Sequence, residues 1–422
     1  MTNTSGCPVA IINNDWAPTL AFAVSLGRRN VELDFYGAGV GRWSRYCRRH
    51  RPCPQPEQAD RFLPWLQSRL RSGEIQRVAP TTDLMAYYLG VLREDFPAPV
   101  RRAITPLPEI MRCLVKTQFS SACSAVGQPV PTTATPDDPD EAIVAARAMG
   151  YPLIVKPKSH LVVGSAKRGE LVHNESQLRR VYRRYPVVPG QSLIAEQLPE
   201  LQWPLLQAYI PSARRSVYSI SGIKDGSGGI LAALLTCKRE QWPPDTGVST
   251  SQLVCNDEQI LRAGLKTIDE LVSCGIFELE LLSSGSNLLA IDLNPRAFGF
   301  MALDMAVGND LPWLWWQTTI KEVQPGAQTQ AHAPLECRFI VPYYCAHVIR
   351  GLFGPRPQAQ EANGANDKAR WISMLGHRSD PLPMILAQLK ILKLMPHPRG
   401  LLRPYLAEAW RARSSRHGEA SS

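Results

Sequence analysis

A chain of 422 residues has room for about two to four domains of ordinary size, and needs neither disulfides nor a structural metal in place of a core. Its 44% hydrophobic, 20% charged and 8% aromatic residues exclude the disordered and fibrous classes. The formal charge of +10 favours anionic partners such as nucleotides, phosphates, nucleic acid or membrane headgroups, without choosing among them.

The opening residues carry no basic stretch followed by an apolar one, and nowhere do 18 apolar residues run together, so a cytoplasmic protein is expected. Pro8 to Ile12 reads as a buried strand, Thr19 to Arg28 as a helix and Val31 to Tyr36 as a second strand. The glycines at 37, 39 and 41 have the wrong spacing for a dinucleotide fingerprint and predict a flexible turn. Ten cysteines without a Cys-x-x-Cys pair argue against a disulfide framework. Cys47, His50 and Cys53 gather three zinc-type ligands but lack a fourth and sit among arginines, which disfavours a cation. Helices at Phe62 to Arg71 and Leu84 to Glu94, with a strand at Ile75 to Ala79, complete a small α/β unit ending near residue 110.

From Met111 a single helix is predicted to Ala125, then an extended stretch, a helix from Pro139 to Met149, and a short apolar strand, Tyr151 to Pro157, ending in Lys156. Pro157 holds Lys156 in an extended conformation. Ser159 to Gly169 reads as a flexible basic loop before a helix from Ser176 to Tyr185. Leu205 to Ile210 and Val217 to Ile223 read as strands, the second turning at Asp225 to Gly229 into Ile230 to Cys237 as a hairpin. A helix from Glu258 to Ser273 precedes strands at Phe277 to Leu281 and Leu288 to Asn294. Beyond residue 325 the pattern gives a strand at Cys337 to Pro342 and a basic helical end, taken together as a C-terminal extension over 326–422.

Residues two apart in a strand share a face, so Asp292, Asn294 and Arg296 project together, and Glu278 and Glu280 do so from the neighbouring strand. Such converging oxygens suit Mg2+, which leaves positions for water and phosphate. Lys116 and Lys156 complement a polyphosphate. On their own these acids could form a solvated hairpin face, but Pro295 ends the strand and Arg296 adds an anion partner.

In order, Leu114-Val115-Lys116, Gln128 to Thr132, Tyr151 to Pro157, Leu206 to Ile210, Trp242 to Thr250, Gly275 to Leu281 and Ile291 to Arg296 resemble the ATP-grasp carboxylate-amine ligases, of the carbamoyl-phosphate-synthase-like type. The resemblance covers about residues 110 to 320. It implies an α/β (α+β) ATP-grasp fold: a pre-ATP-grasp domain over 1–110, a two-lobed grasp over 111–325 and the C-terminal helical extension. It further implies that Lys116 and Lys156 contact ATP phosphates and that the loop with Gly164 and Gly169 closes over them. Gln207, Ala208, Tyr209 and Ile210 would read adenine through the backbone. Glu280, Asp292 and Asn294 would hold Mg2+, with Mn2+ as the substitute, and Arg296, Lys238 and Arg239 would stabilise the transferred phosphoryl group. Gly247, Ser249 and Thr250 would face the acceptor.

The implied reaction joins a small-molecule carboxylate to an amine through an acyl phosphate, releasing ADP and phosphate. Ala208 stands where the family usually carries Glu, Asp292 replaces the more frequent Glu, and no ribose-binding acid follows the hinge. A carboxylase, a phosphoryl transferase and a basic peripheral-membrane protein with a degenerate ATP site are the alternatives. The membrane reading rests on Leu386, Leu389, Lys390, Lys393 and the later arginines. No nucleic-acid motif is present, and a homodimer is left open.

Overall fold

The computed structural model describes residues 7–12, 17–163, 169–187, 189–211, 216–242, 247–285, 287–323, 335–338, 340 and 370–394. Three sheets follow one another along the chain. Strands β1 (Val9–Ile12), β2 (Leu33–Tyr36) and β3 (Cys47–Arg51) form a parallel sheet in that order. The helix Ala17–Gly27 makes the crossover and is buried at every residue, which is why it lacks an apolar stripe. β3, unforeseen in the sequence, is a charged edge strand whose Arg48 donates to Asp34 at 2.9 and 2.8 Å and to Glu32 at 2.7 Å. Its His50 ring sits 2.6 Å from the Gly37 carbonyl oxygen. The glycine segment before it ends in a 3₁₀ turn, Val40–Trp43, and Ile75 to Ala79 contributes only an isolated bridge from Val78 to Ala10.

The helix predicted from Met111 is two helices, Leu107–Leu114 and Lys116–Ala125, broken where β-branched Val115 is extended at φ −98° and ψ 109°. The Lys116 N–H donates to the Lys158 carbonyl oxygen at 2.8 Å instead of continuing the helical ladder. Lys116 thereby becomes the first residue of a helix.

The second sheet holds β4 (Thr133–Ala134), β5 (Leu153–Pro157), β6 (Glu170–Val172) and β7 (Pro204–Ala208), antiparallel in the order β4-β7-β5-β6. Burial alternates along β5: Leu153, Val155 and Pro157 face a core with Ile143, Ala146 and Leu178, which leaves Lys156 on the other face. Instead of an open loop, His160–Val163 forms a short helix whose Leu161 and Val162 are buried.

The third sheet, in the order β12-β11-β8-β9-β10-β13-β14, comprises β8 (Val217–Lys224), β9 (Ile230–Trp242), β10 (Val248–Val254), β11 (Gly275–Ser284), β12 (Asn287–Asn294), β13 (Leu335–Arg338) and β14 (Arg370–Ser373). All its pairs are antiparallel except β13 with β14. Asp225 Oδ1 accepts from Ser227 N, Ser227 Oγ and Gly229 N at 2.8–3.0 Å, fixing the β8–β9 turn. The helix Glu258–Leu271 covers one face, with Ile260 and Ile268 against Ile220 and Leu279. The other face shares a core with the first sheet, in which Phe22 meets Trp315 edge-on at 5.3 Å. β13 and β14, read from sequence as part of the extension, thus lengthen this sheet.

Candidate active site

The register of β11 and β12 sets Glu280 opposite Asp292 and Glu278 opposite Asn294, on one face of the sheet. β8 continues the row, with Ser219 opposite Glu280 and Ser221 opposite Glu278. Each carboxylate of the first pair has a lysine: Lys116 bonds Asp292, and Lys238 Nζ lies 3.3 Å from Glu280 Oε1. Lys156 arrives from the second sheet and donates to Gln207 Oε1 at 2.9 Å, while Gln207 Nε2 donates to Thr133 Oγ1 at 3.2 Å. Burial first, and then Lys116, push the Lys156 amine down to about 8, with Asp292 and Glu280 opposing. Burial alone would raise the Asp292 carboxyl, but Lys116, Lys156 and Arg296 outweigh it and hold it low. Two neighbouring amines, one of which has its charge disfavoured by the other, form a ready receptor for a multivalent anion.

Arg296 organises the far end of the row. It donates to Asn294 Oδ1 at 2.9 Å, to the Ala297 carbonyl oxygen at 2.7 Å and to Asp83 Oδ1 at 2.5 Å, and Asn294 Nδ2 donates to Glu278 Oε2 at 3.0 Å. Glu278 is buried, and burial and then Glu280 raise its carboxyl. Behind it Asp304, fully buried, accepts from Ser221 Oγ at 2.8 Å and is also raised by burial.

A hard divalent cation fits this donor set. Glu280 and Asp292 stand directly opposite each other, and the Asn294 amide oxygen adds a third donor on the same face, matching an ion bound through one or two carboxylates with phosphate oxygens completing the shell. Among the described residues no three His, Cys, Asp or Glu side chains form a closed metal cage. That includes Cys47, His50 and Cys53.

The structure brings Lys116, Lys156, Lys238, Glu280, Asp292, Asn294 and Arg296 together, and sends Arg239 elsewhere. Successive strand residues alternate faces, so Arg239 leaves the Lys238 face and lies 3.5 Å from Glu336, which Arg338 contacts at 2.5 Å. Gln207 and Ala208 end β7, the Ala208 N–H donating to Thr132 O at 2.9 Å, with Tyr209 and Ile210 just beyond. Gly247 precedes β10, a strand the sequence did not signal; Ser249 Oγ donates to Gln252 Oε1 at 2.7 Å. The Thr250 and Ser219 hydroxyls and Asp304 Oδ2 are buried with no hydrogen-bond partner among the described residues. Gly169 directly precedes β6. Gly164 and the chain beyond Leu394 lie outside the described residues. Among the described residues no helix is long and apolar enough to cross a membrane.

Sequence reasoning missed Asp83, 213 residues from the arginine it anchors, and the local Thr82-Asp83 helix-start signal says nothing of that partner. It also missed Gln207 as the side-chain partner of Lys156.

No family model matches the chain. Over 177 residues it is 27% identical to the carbamoyl phosphate synthase large chain of Pseudomonas aeruginosa, a match covering 40% of this chain and 15% of the relative. Over 205 residues it is 26% identical to that of Pyrobaculum aerophilum, covering 47% and 19%. The chain therefore spans less than a fifth of the length of these relatives. Among solved structures, a biotin carboxylase from Campylobacter jejuni superposes with a TM-score of 0.58 at 13% identity, over 77% of this chain and 73% of that one. An L-amino acid ligase from Bacillus licheniformis gives 0.55 at 14% identity, over 75% of each. This chain thus has the ATP-grasp fold and a distant homology, over part of its length, to the carbamoyl phosphate synthase large chain.

Proposed function

We propose that this protein is an ATP-dependent ligase that joins a carboxylate to an amine through an acyl phosphate and releases ADP and phosphate. The observation that carries the reading is the meeting of Lys116 and Lys156, from two separate segments, at the cross-strand pair Glu280 and Asp292. Bound there, ATP would meet the two ammonium groups at its phosphates, exchanging the Lys116–Asp292 pairing for a charge-assisted contact with phosphate oxygen. Glu280, Asp292 and Asn294 would hold Mg2+, which would supply charge neutralisation at the phosphates. Lys238 and Arg296 line the same face and would compensate the charge that develops on the transferred group. Asp83 orients Arg296, and Asn294 keeps its amide oxygen turned to the guanidinium because its amide nitrogen is committed to Glu278. Gly247, Ser249 and Thr250 are the proposed acceptor-side residues. Arg239 is given no part in phosphoryl transfer, because its side chain is committed to Glu336.

The test supplies ATP and Mg2+ with a panel of amino acids, dipeptides, amino sugars and bicarbonate, measuring ADP, AMP and phosphate and identifying products by mass spectrometry. ADP and phosphate formed only when carboxylate and amine are both present is the expected result. AMP would indicate adenylation, and ADP formation dependent on bicarbonate would indicate a carboxylase. The site assignment fails if ATP with Mg2+ leaves the melting temperature unchanged, or if Lys156→Ala and Asn294→Ala bind ATP like the parent.

A further inference from the structure

On the face of the third sheet opposite the acidic row, β9 and β10 bring two cysteines together. Cys237 pairs with Leu253 and Thr236 with Val254 in the β9–β10 register, and the Cys255 N–H donates to Leu235 O at 3.0 Å. Cys237 and Cys255 are therefore diagonal cross-strand neighbours on one face. The Cys255 thiol donates to the Leu253 carbonyl oxygen, 3.6 Å away, on the strand position opposite Cys237, and the two thiols are electrostatically coupled. Both side chains are half-buried.

The charged and titratable groups around the pair favour one thiolate. Arg239 follows Cys237 on the same face, Glu336 is opposite Leu253 on β13, Tyr218 is opposite Cys237 on β8, and Asp257 lies just beyond Cys255. The neighbouring Cys255 holds the Cys237 thiol below its ordinary range, with Arg239 assisting against burial and Glu336. Burial pushes the thiols of Cys47, Cys53, Cys113, Cys123, Cys274 and Cys337 up. Low-pKa, accessible thiols with a resolving partner are the ones that hydroperoxides oxidise.

We propose that Cys237 and Cys255 form a peroxide-reactive thiol pair that closes reversibly into a disulfide between β9 and β10. The Cys237 thiolate attacks a hydroperoxide oxygen, breaking the O–O bond; Cys237 becomes a sulfenic acid and the peroxide leaves as alkoxide or hydroxide, which takes up a proton. The Cys255 sulfur then displaces the sulfenic hydroxyl, forming the S–S bond and releasing water. An external thiol reduces the bond and returns both side chains. Cys255 lies one residue past the end of β10, where the backbone can yield to the shorter Cα separation a disulfide requires.

The test treats the full chain with hydrogen peroxide, blocks remaining thiols and maps peptides by mass spectrometry. The expected product is a Cys237–Cys255 linked peptide, two hydrogens lighter, that disappears with a reducing thiol. In Cys255→Ser, dimedone should instead trap a sulfenic acid at Cys237. In the unaltered chain, which needs no variant to fold, iodoacetamide at neutral pH should label Cys237 at least about tenfold faster than Cys53. Equal labelling rates, a link to another cysteine, or no dimedone adduct at Cys237 would each overturn the proposal.

Discussion

Lys156 is the residue on which the nucleotide reading turns, because its amine is set near 8 by burial and by Lys116. A bound polyphosphate favours the charged form, so ATP binding at pH 8.5 should take up protons, and affinity should fall as pH rises from 7 to 9.5. Titration calorimetry at pH 8.5 in two buffers of different ionisation enthalpy checks this; identical heats would contradict it. Lys156→Arg keeps its charge across the range and should flatten the pH dependence. The Glu278 carboxyl is shifted in the other direction, upward. Its buried carboxyl is raised from an ordinary 4.5, so the folded chain holds a proton there that the unfolded chain gives up, and stability is lost as pH rises through that window. Glu278→Gln keeps an acceptor for Asn294 and should reduce the fall in melting temperature between pH 5 and 8.5; an unchanged fall would show that Glu278 is not its source.

Elements whose residues see one neighbour type were legible in the sequence, and those shaped by distant partners were not. β5 announces itself through apolar alternation closed by proline, and β11 and β12 through acids at two-residue spacing, so Lys156, Glu280, Asp292 and Asn294 could be located from residue pattern. The helix break at Val115 is invisible locally, because what replaces the lost helical bond is the Lys158 carbonyl 42 residues on. β10 is hidden by its polar run from Ser249 to Gln252, of which Thr250, Ser251 and Gln252 are buried, with Ser251 and Gln252 bonded to Glu336 and Thr236 rather than packed on apolar side chains. The same reasoning makes Gly264 a test of the helix over the third sheet. A methyl there would sit 2.0 Å from Ile220 Cδ1, so Gly264→Ala should cost about 1–3 kcal/mol by overpacking. Adding Ile220→Val removes that carbon and should recover part of the loss in chemical denaturation. An additive double variant would refute the contact as the cause.

For the whole molecule, the first and third sheets share one apolar core from Val9 and Phe22 to Leu234, Phe298 and Trp315, while the second sheet has a separate core around Ile143, Leu153 and Leu206. Phe22→Ala, at a cost of about 3–5 kcal/mol, should therefore lower hydrogen-exchange protection in β1, β2, β8 and β9 together and leave β5 and β7 much less affected. Equal loss in β5 and β7 would argue for a single cooperative unit. The bond from the Lys116 amide to the Lys158 carbonyl gives this division a mechanical meaning. It joins the second sheet to the rest at a point two residues from Lys156, or roughly 7 Å along an extended strand. Turning the sheet by about 10° around that fulcrum displaces the Lys156 backbone by only about 1 Å on this lever arm. The more distant edge strand β6 sweeps a longer arc. The spacing of the two ammonium groups would thus change little in any turn of the second sheet about this bond, while strand β6 would be displaced more.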